Sequence, residues 1–146
     1  MIASMIVKRM LRSNFLMMNE DNMDVDAFLA NWCDDAIWDG TSELGVGETI
    51  KGKKAIAEWY RRWKEEFPKR KFDVKSICFS AWPFSLTNVV TVQWSLMQTD
   101  KQGKEFRYEG VTVAHVKNFK ISHVSEYISF AGLPQLSSLI KPSVES

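Results

Sequence analysis

The groups in this chain best suited to moving protons are His115 and Asp39, the second of them next to Trp38. A neutral imidazole in an apolar pocket accepts or donates a proton near pH 7, and a carboxylate does so when burial raises its pKa. His115 lies in the stretch KEFRYEGVTVAHVKN, and Ser129 follows fourteen residues later in KISHVSEYISF. We expect His115 and Asp39 to carry any catalysis, with Trp38, Tyr60, Trp63, Trp94, Val113, Tyr127 and Ser129 lining a ligand pocket. The alternatives are a hydrogen-bonded core position for His115 and a solvated turn for Asp39. His123 lies near the start of its strand and reads as a surface or edge residue. The two histidines are on different strands and no His, Asp or Glu cluster has metal-ligand spacing, so neither a metal nor a cofactor is expected.

These residues need long strands to hold them. Asn118 reads as a tight turn between two strands that form the floor of the pocket, with Val111, Val113 and His115 on the concave side. Upstream, Asn88–Thr99 alternates, with Val90, Val92, Trp94 and Leu96 on one face, and Asp100-Lys101-Gln102-Gly103 closes a hairpin. Phe72, Val74, Ser76 and Cys78 share one face of an earlier strand. Before Pro68 the period is helical. Ile56, Tyr60, Trp63 and Phe67 make one apolar stripe on a helix over Lys53–Phe67. A first helix covers roughly residues 4–18. A short second helix is capped by Asp24, carries Val25, Phe28, Leu29 and Trp32, and ends at Asp34-Asp35. Ile37-Trp38-Asp39 is extended, residues 40–47 form an irregular connection or hairpin, and Trp82-Pro83-Phe84-Ser85 is a loop. Helices followed by antiparallel strands give an α+β fold with the helices on one side of a curved sheet.

A chain of 146 residues fits one domain, with a core over about residues 4–133 and a tail over 134–146. Six Trp and nine Phe suit an apolar cavity as well as a plain core. No apolar run is long enough for a membrane span, and basic residues follow rather than precede the apolar start, so neither membrane nor export is expected. Cys33 and Cys78 have no disulfide or metal signature and read as small side chains, buried or half-buried, in a reducing cytoplasm. Nine acids and no Lys or Arg occupy residues 19–50, while ten bases and four acids occupy residues 51–75. Two such blocks should share a surface, and without a nucleic-acid motif the basic helix reads as solvated.

Asp34-Asp35-Ala36-Ile37-Trp38 after a short helix, Ile50-Lys51-Gly52 leading into Lys53-Lys54-Ala55-Ile56, Phe67-Pro68, and Lys120-Ile121 with Glu126-Tyr127 resemble the nuclear transport factor 2-like superfamily. Within it they are most similar to the SnoaL-like polyketide cyclases and the ketosteroid isomerases. The resemblance implies a cone of three helices over the concave face of a mixed sheet, a pocket between them, and homodimers formed through the sheet. It also implies an acid/base Asp at the position of Ser129 and a His at that of His115, so the histidine is present and the carboxylate is not. The steroid-isomerase pattern asks for an oxyanion-binding Tyr in residues 1–22 and an Asp in residues 104–117, and both are missing. Only Asp39 lies near the place of its base.

The expected function is therefore a pocket protein that binds a small hydrophobic or polycyclic ligand, as a cofactor-free isomerase, lyase or cyclase. The alternative is a non-catalytic ligand-binding or dimerisation module.

Overall fold

The computed structural model describes residues 2–40, 49–80 and 87–129. The expected connection at 40–47, apart from Gly40, the loop at 82–85 and the tail from 134 onward lie outside them. Among the described residues three helices, α1 (Ile2–Met18), α2 (Val25–Phe28) and α3 (Lys53–Glu66), accompany six strands. The strands are β1 (Trp32–Asp39), β2 (Thr49–Lys51), β3 (Lys69–Ser80), β4 (Thr87–Thr99), β5 (Glu105–Lys117) and β6 (Lys120–Ile128). They form one sheet in the order β2-β1-β6-β5-β4-β3, with β1 and β6 parallel and the other neighbours antiparallel. The fold is the expected α+β arrangement of helices on a curved, mixed sheet.

Asp24 caps α2 by accepting the Ala27 amide, as its side chain type predicts. The helix is shorter than expected. Trp32, Asp34 and Asp35 belong to β1, because Trp32 pairs with Ile121 of β6 and tertiary pairing overrides the helical spacing. In α3 the apolar stripe is buried as read, from Ile56 through Tyr60 and Trp63 to Phe67 just past the helix end.

Alternation along β4 places Val90, Val92, Trp94, Leu96 and Gln98 against the helices, all buried. In β5 the covered residues are Phe106, Tyr108, Thr112, Ala114 and Val116, with Gly110 in the same row. Asn118 and Phe119 both adopt positive φ in a two-residue turn that pairs Lys117 with Lys120. One residue later a bulge at Ser122 shifts the register, so that His115 opposes His123 and Thr112 opposes Glu126. The Ser122 hydroxyl fixes this bulge by donating to the His115 carbonyl.

The helices are tied to one another and to the sheet by polar contacts that the charge blocks foreshadow. Arg61 bonds Asp26 at 2.7 Å, and Lys53 lies 3.9 Å from Asp34. Arg70 is not solvated. Its buried guanidinium donates to the carbonyls of Met18 at the end of α1, of Glu20 just beyond it and of Phe67 after α3, where helix ends offer unpaired acceptors. Asn19 both donates to and accepts from the backbone of Phe72, occupying part of the outer edge of β3. Both cysteines are free. Cys33 is half-buried as expected, whereas Cys78 is exposed. No helix among the described residues is long and apolar enough to cross a membrane.

Candidate functional site

Between the helices and the concave face lies a cavity of about 60 Å³. Trp59, Tyr60 and Trp63 reach it from α3, Trp38 from β1, Phe72 from β3, Trp94 and Leu96 from β4, and Tyr108 from β5. Phe15, Met18 and Ile128 complete the apolar lining. The rings brace one another: Trp38 and Trp59 stand 4.6 Å apart, Trp59 and Tyr60 meet edge to face at 5.1 Å, and Phe72 meets Trp94 at 5.3 Å. Trp63 is further oriented by a buried hydrogen bond from its Nε1 to Gln98 Oε1 at 3.2 Å. A wall fixed this way gives the pocket a defined shape.

Among the described residues one carboxyl group enters this apolar wall, that of Glu126. Burial pushes its pKa up to about 8, opposed by a hydrogen bond from Thr112. The acid form therefore predominates near pH 7, and the group sits close to the balance point for accepting or donating a proton. Thr112 Oγ1 is 2.7 Å from Glu126 Oε2 and in turn receives the Trp94 indole N–H at 2.8 Å. Tyr60 and Tyr108 line the same cavity, and burial together with the nearby Glu126 charge raises both phenol pKa values, so both remain hydrogen-bond donors.

The sequence-predicted residues divide between two faces of the sheet. Trp38, Tyr60, Trp63 and Trp94 line the cavity. His115, Val113, Tyr127 and Ser129 do not. Their side of β5 and β6 is the convex one, where Tyr127 is 56% exposed and Ser129 is exposed, its amide bonded to the Glu109 carbonyl. The expectation that Val111, Val113 and His115 floor the pocket is thus corrected. The concave positions of β5 hold Gly110, Thr112 and Ala114, small residues beside large rings, so hydrophobic strength along the strand pointed to the wrong face.

Asp39 follows the cavity residue Trp38 and so points to the convex side. There it is hydrogen-bonded to His123 Nε2, and His123 stacks on His115 with ring centroids 5.4 Å apart. The Asp39 pKa is lowered, first by a hydrogen bond with Thr49 and then by that with His123, which is opposite to the raised value expected of a base. No group of three or more His, Cys, Asp or Glu among the described residues is arranged to hold a metal ion.

Glu126 was missed as a site residue because it stands between two half-exposed neighbours in a strand of mixed polarity. The available signal was its pairing. Counting back from a two-residue turn through one bulge sets Glu126 opposite Thr112 and in line with Val124 and Ile128.

Solved structures place this architecture among known folds. A candidate aromatic ring hydroxylase from Novosphingobium aromaticivorans superposes with a TM-score of 0.76 at 15% identity, over 91% of this chain and 94% of its own. A candidate SnoaL-like polyketide cyclase from a Jannaschia species gives 0.72 at 12% identity, covering 94% of both chains. A protein of ketosteroid isomerase-like fold from Catenulispora acidiphila, crystallised with trimethylamine, gives 0.69 at 15% identity over 89% and 92%. The cone of helices on a mixed sheet is accordingly the nuclear transport factor 2-like fold. The family model of the SnoaL-like domain matches residues 15–124, most of the chain, and the chain belongs to that family. The matched segment stops just short of Glu126. No curated protein matches the chain in sequence.

Proposed function

We propose that this chain is a small-molecule pocket protein that transfers a proton, without a cofactor, on a compact hydrophobic substrate, as an isomerase, lyase or cyclase. Glu126 serves as the acid or base in place of His115 and Asp39. One observation carries the reading: a carboxyl group with a pKa of about 8, the only one among the described residues to line an aromatic cavity. Tyr60 and Tyr108 supply donors for a developing oxyanion. A cavity of about 60 Å³ favours a single-ring substrate, and a polycyclic one requires lining rings to move.

Exchange of the α-hydrogens of small cyclic ketones in D₂O, followed by proton NMR, tests the proposal. The native protein should exceed Glu126→Gln by about a hundredfold or more. Equal rates would sink it and favour the second reading, ligand binding without turnover. That alternative is supported by the histidines, which lie on the far face and leave Glu126 without an imidazole partner. In both readings the chain pairs with a second copy through the convex face, where exposed Tyr127 adjoins half-buried Val111 and Val113.

A further inference from the structure

The contacts around Glu126 have a direction. An indole nitrogen donates and never accepts, so the 2.8 Å contact between Trp94 Nε1 and Thr112 Oγ1 makes the hydroxyl the acceptor. That hydroxyl has a single hydrogen of its own. Among the described residues the acceptor it reaches is Glu126 Oε2, at 2.7 Å. With its hydrogen on Oε2 the hydroxyl makes that oxygen an acceptor, and a proton on Oε2 would require the Thr112 hydrogen to turn away from it.

The arrangement depends on Gly110. Trp94 and Gly110 are direct cross-strand partners, and Thr112 is the next residue along β5 on the same face. The indole lies across the glycine to reach it: a Cβ at Gly110 would fall 2.5 Å from Trp94 Cζ2 and 2.7 Å from the Tyr127 carbonyl oxygen. Any side chain there must displace the ring or part the strands.

We infer that Trp94 and Thr112, seated by Gly110, form a one-way hydrogen-bond relay that holds Oε2 as a permanent acceptor and makes Oε1 the atom at which Glu126 takes up and releases its proton. Thr112, Trp94 and Gly110 are positioning residues. The catalytic consequence rests on the proposed role of Glu126 in proton transfer, but the relay itself is measurable without substrate.

The experiment is a pH titration by NMR of protein carrying ¹³C-labelled glutamate, with the Glu126 carboxyl signal assigned by its loss in Glu126→Gln. Thr112→Val should raise the midpoint by about one to two units, the worth of a hydrogen bond to a charged acceptor. Thr112→Ser should restore it, and Trp94→Phe should raise it by a smaller amount. In the unmutated protein the Trp94 Hε1 resonance should move with the same midpoint as the Glu126 carboxyl carbon, and Thr112→Val should abolish that coupling. An unchanged or lowered midpoint in Thr112→Val, a Thr112→Ser variant that behaves like Thr112→Val, or a Trp94 Hε1 resonance that ignores Glu126 overturns the relay. A relay that passes these tests in a protein with no exchange activity would leave the inference standing and refute the catalytic reading alone.

Discussion

Two carboxyl groups on neighbouring strands of one sheet have opposite fates. Asp39 on the convex face has Thr49 and His123 as partners and a lowered pKa, whereas Glu126 on the concave face has one donor among the described residues, aromatic surroundings and a raised pKa. Sequence neighbours favour Asp39, which sits beside a tryptophan. Geometry favours Glu126. Residue type selects the groups able to exchange protons, but the face on which a strand presents them decides whether water is there to hold the charge.

The largest expected effect separates the two faces by activity. Glu126→Gln should lower proton transfer by about a hundredfold or more, and Asp39→Asn should leave it within about twofold. Reversal of that order would break the comparison.

Stability against pH separates them next. The pKa of Glu126 is raised in the folded state, so the unfolded chain loses this proton first as pH rises and binds fewer protons than the native state. The contribution of Glu126 to stability should therefore be fully present below about pH 4.5, fall between there and about pH 8, and then level off, with a total change of a few kcal/mol. Urea unfolding of Glu126→Gln should show that decline removed and a variant more stable than the parent at high pH. Asp39 has the opposite sign. Its contribution is present above the usual aspartate range and is lost as pH falls through its lowered value.

Gly110→Ala tests the packing behind the concave face. The crowding of the added Cβ should cost about 1–3 kcal/mol in denaturant unfolding and should alter the near-ultraviolet circular dichroism of the displaced indole. Exposed positions on the convex face should respond least. Tyr127→Glu should change monomer stability by about 0.5 kcal/mol or less, yet shift the sedimentation profile toward monomer if the proposed pairing through this face holds.

The architecture was legible because its signals are repeated many times along the chain. Ile56, Tyr60, Trp63 and Phe67 state the helical period in four places, and Val90, Val92, Trp94 and Leu96 state the strand period in four more. The cavity wall followed from the same patterns, since a large ring on the covered face of a helix or strand has few other places to go. The carboxyl group at its foot was not legible in this way. Its location depends on the Ser122 bulge and on the choice of face in β5, where Val111 and Val113 point outward and Gly110, Thr112 and Ala114 inward. Alternation reveals two faces but does not rank them when the inner one carries small residues to make room for an indole. Trp32 failed for a related reason: helical spacing from Phe28 was real, but pairing with Ile121 drew the residue into β1.

The strand order also has a kinetic consequence. Strands β3 to β6 follow one another as a local meander, whereas β1, early in the chain, pairs with nearby β2 but joins the rest of the sheet only through β6, the last strand described. Contacts so far apart in sequence form late in folding, because the intervening chain must be ordered before they contribute. Glu126 lies on that final strand, one residue past its last pairing with β1, and its carboxyl group enters the apolar cavity that Trp38 of β1 helps to line. Refolding should therefore slow as pH rises through the ordinary glutamate range, since above it the chain must take up a proton as the seam closes. Stopped-flow refolding of the parent and Glu126→Gln would show this as a pH dependence present in one and absent in the other.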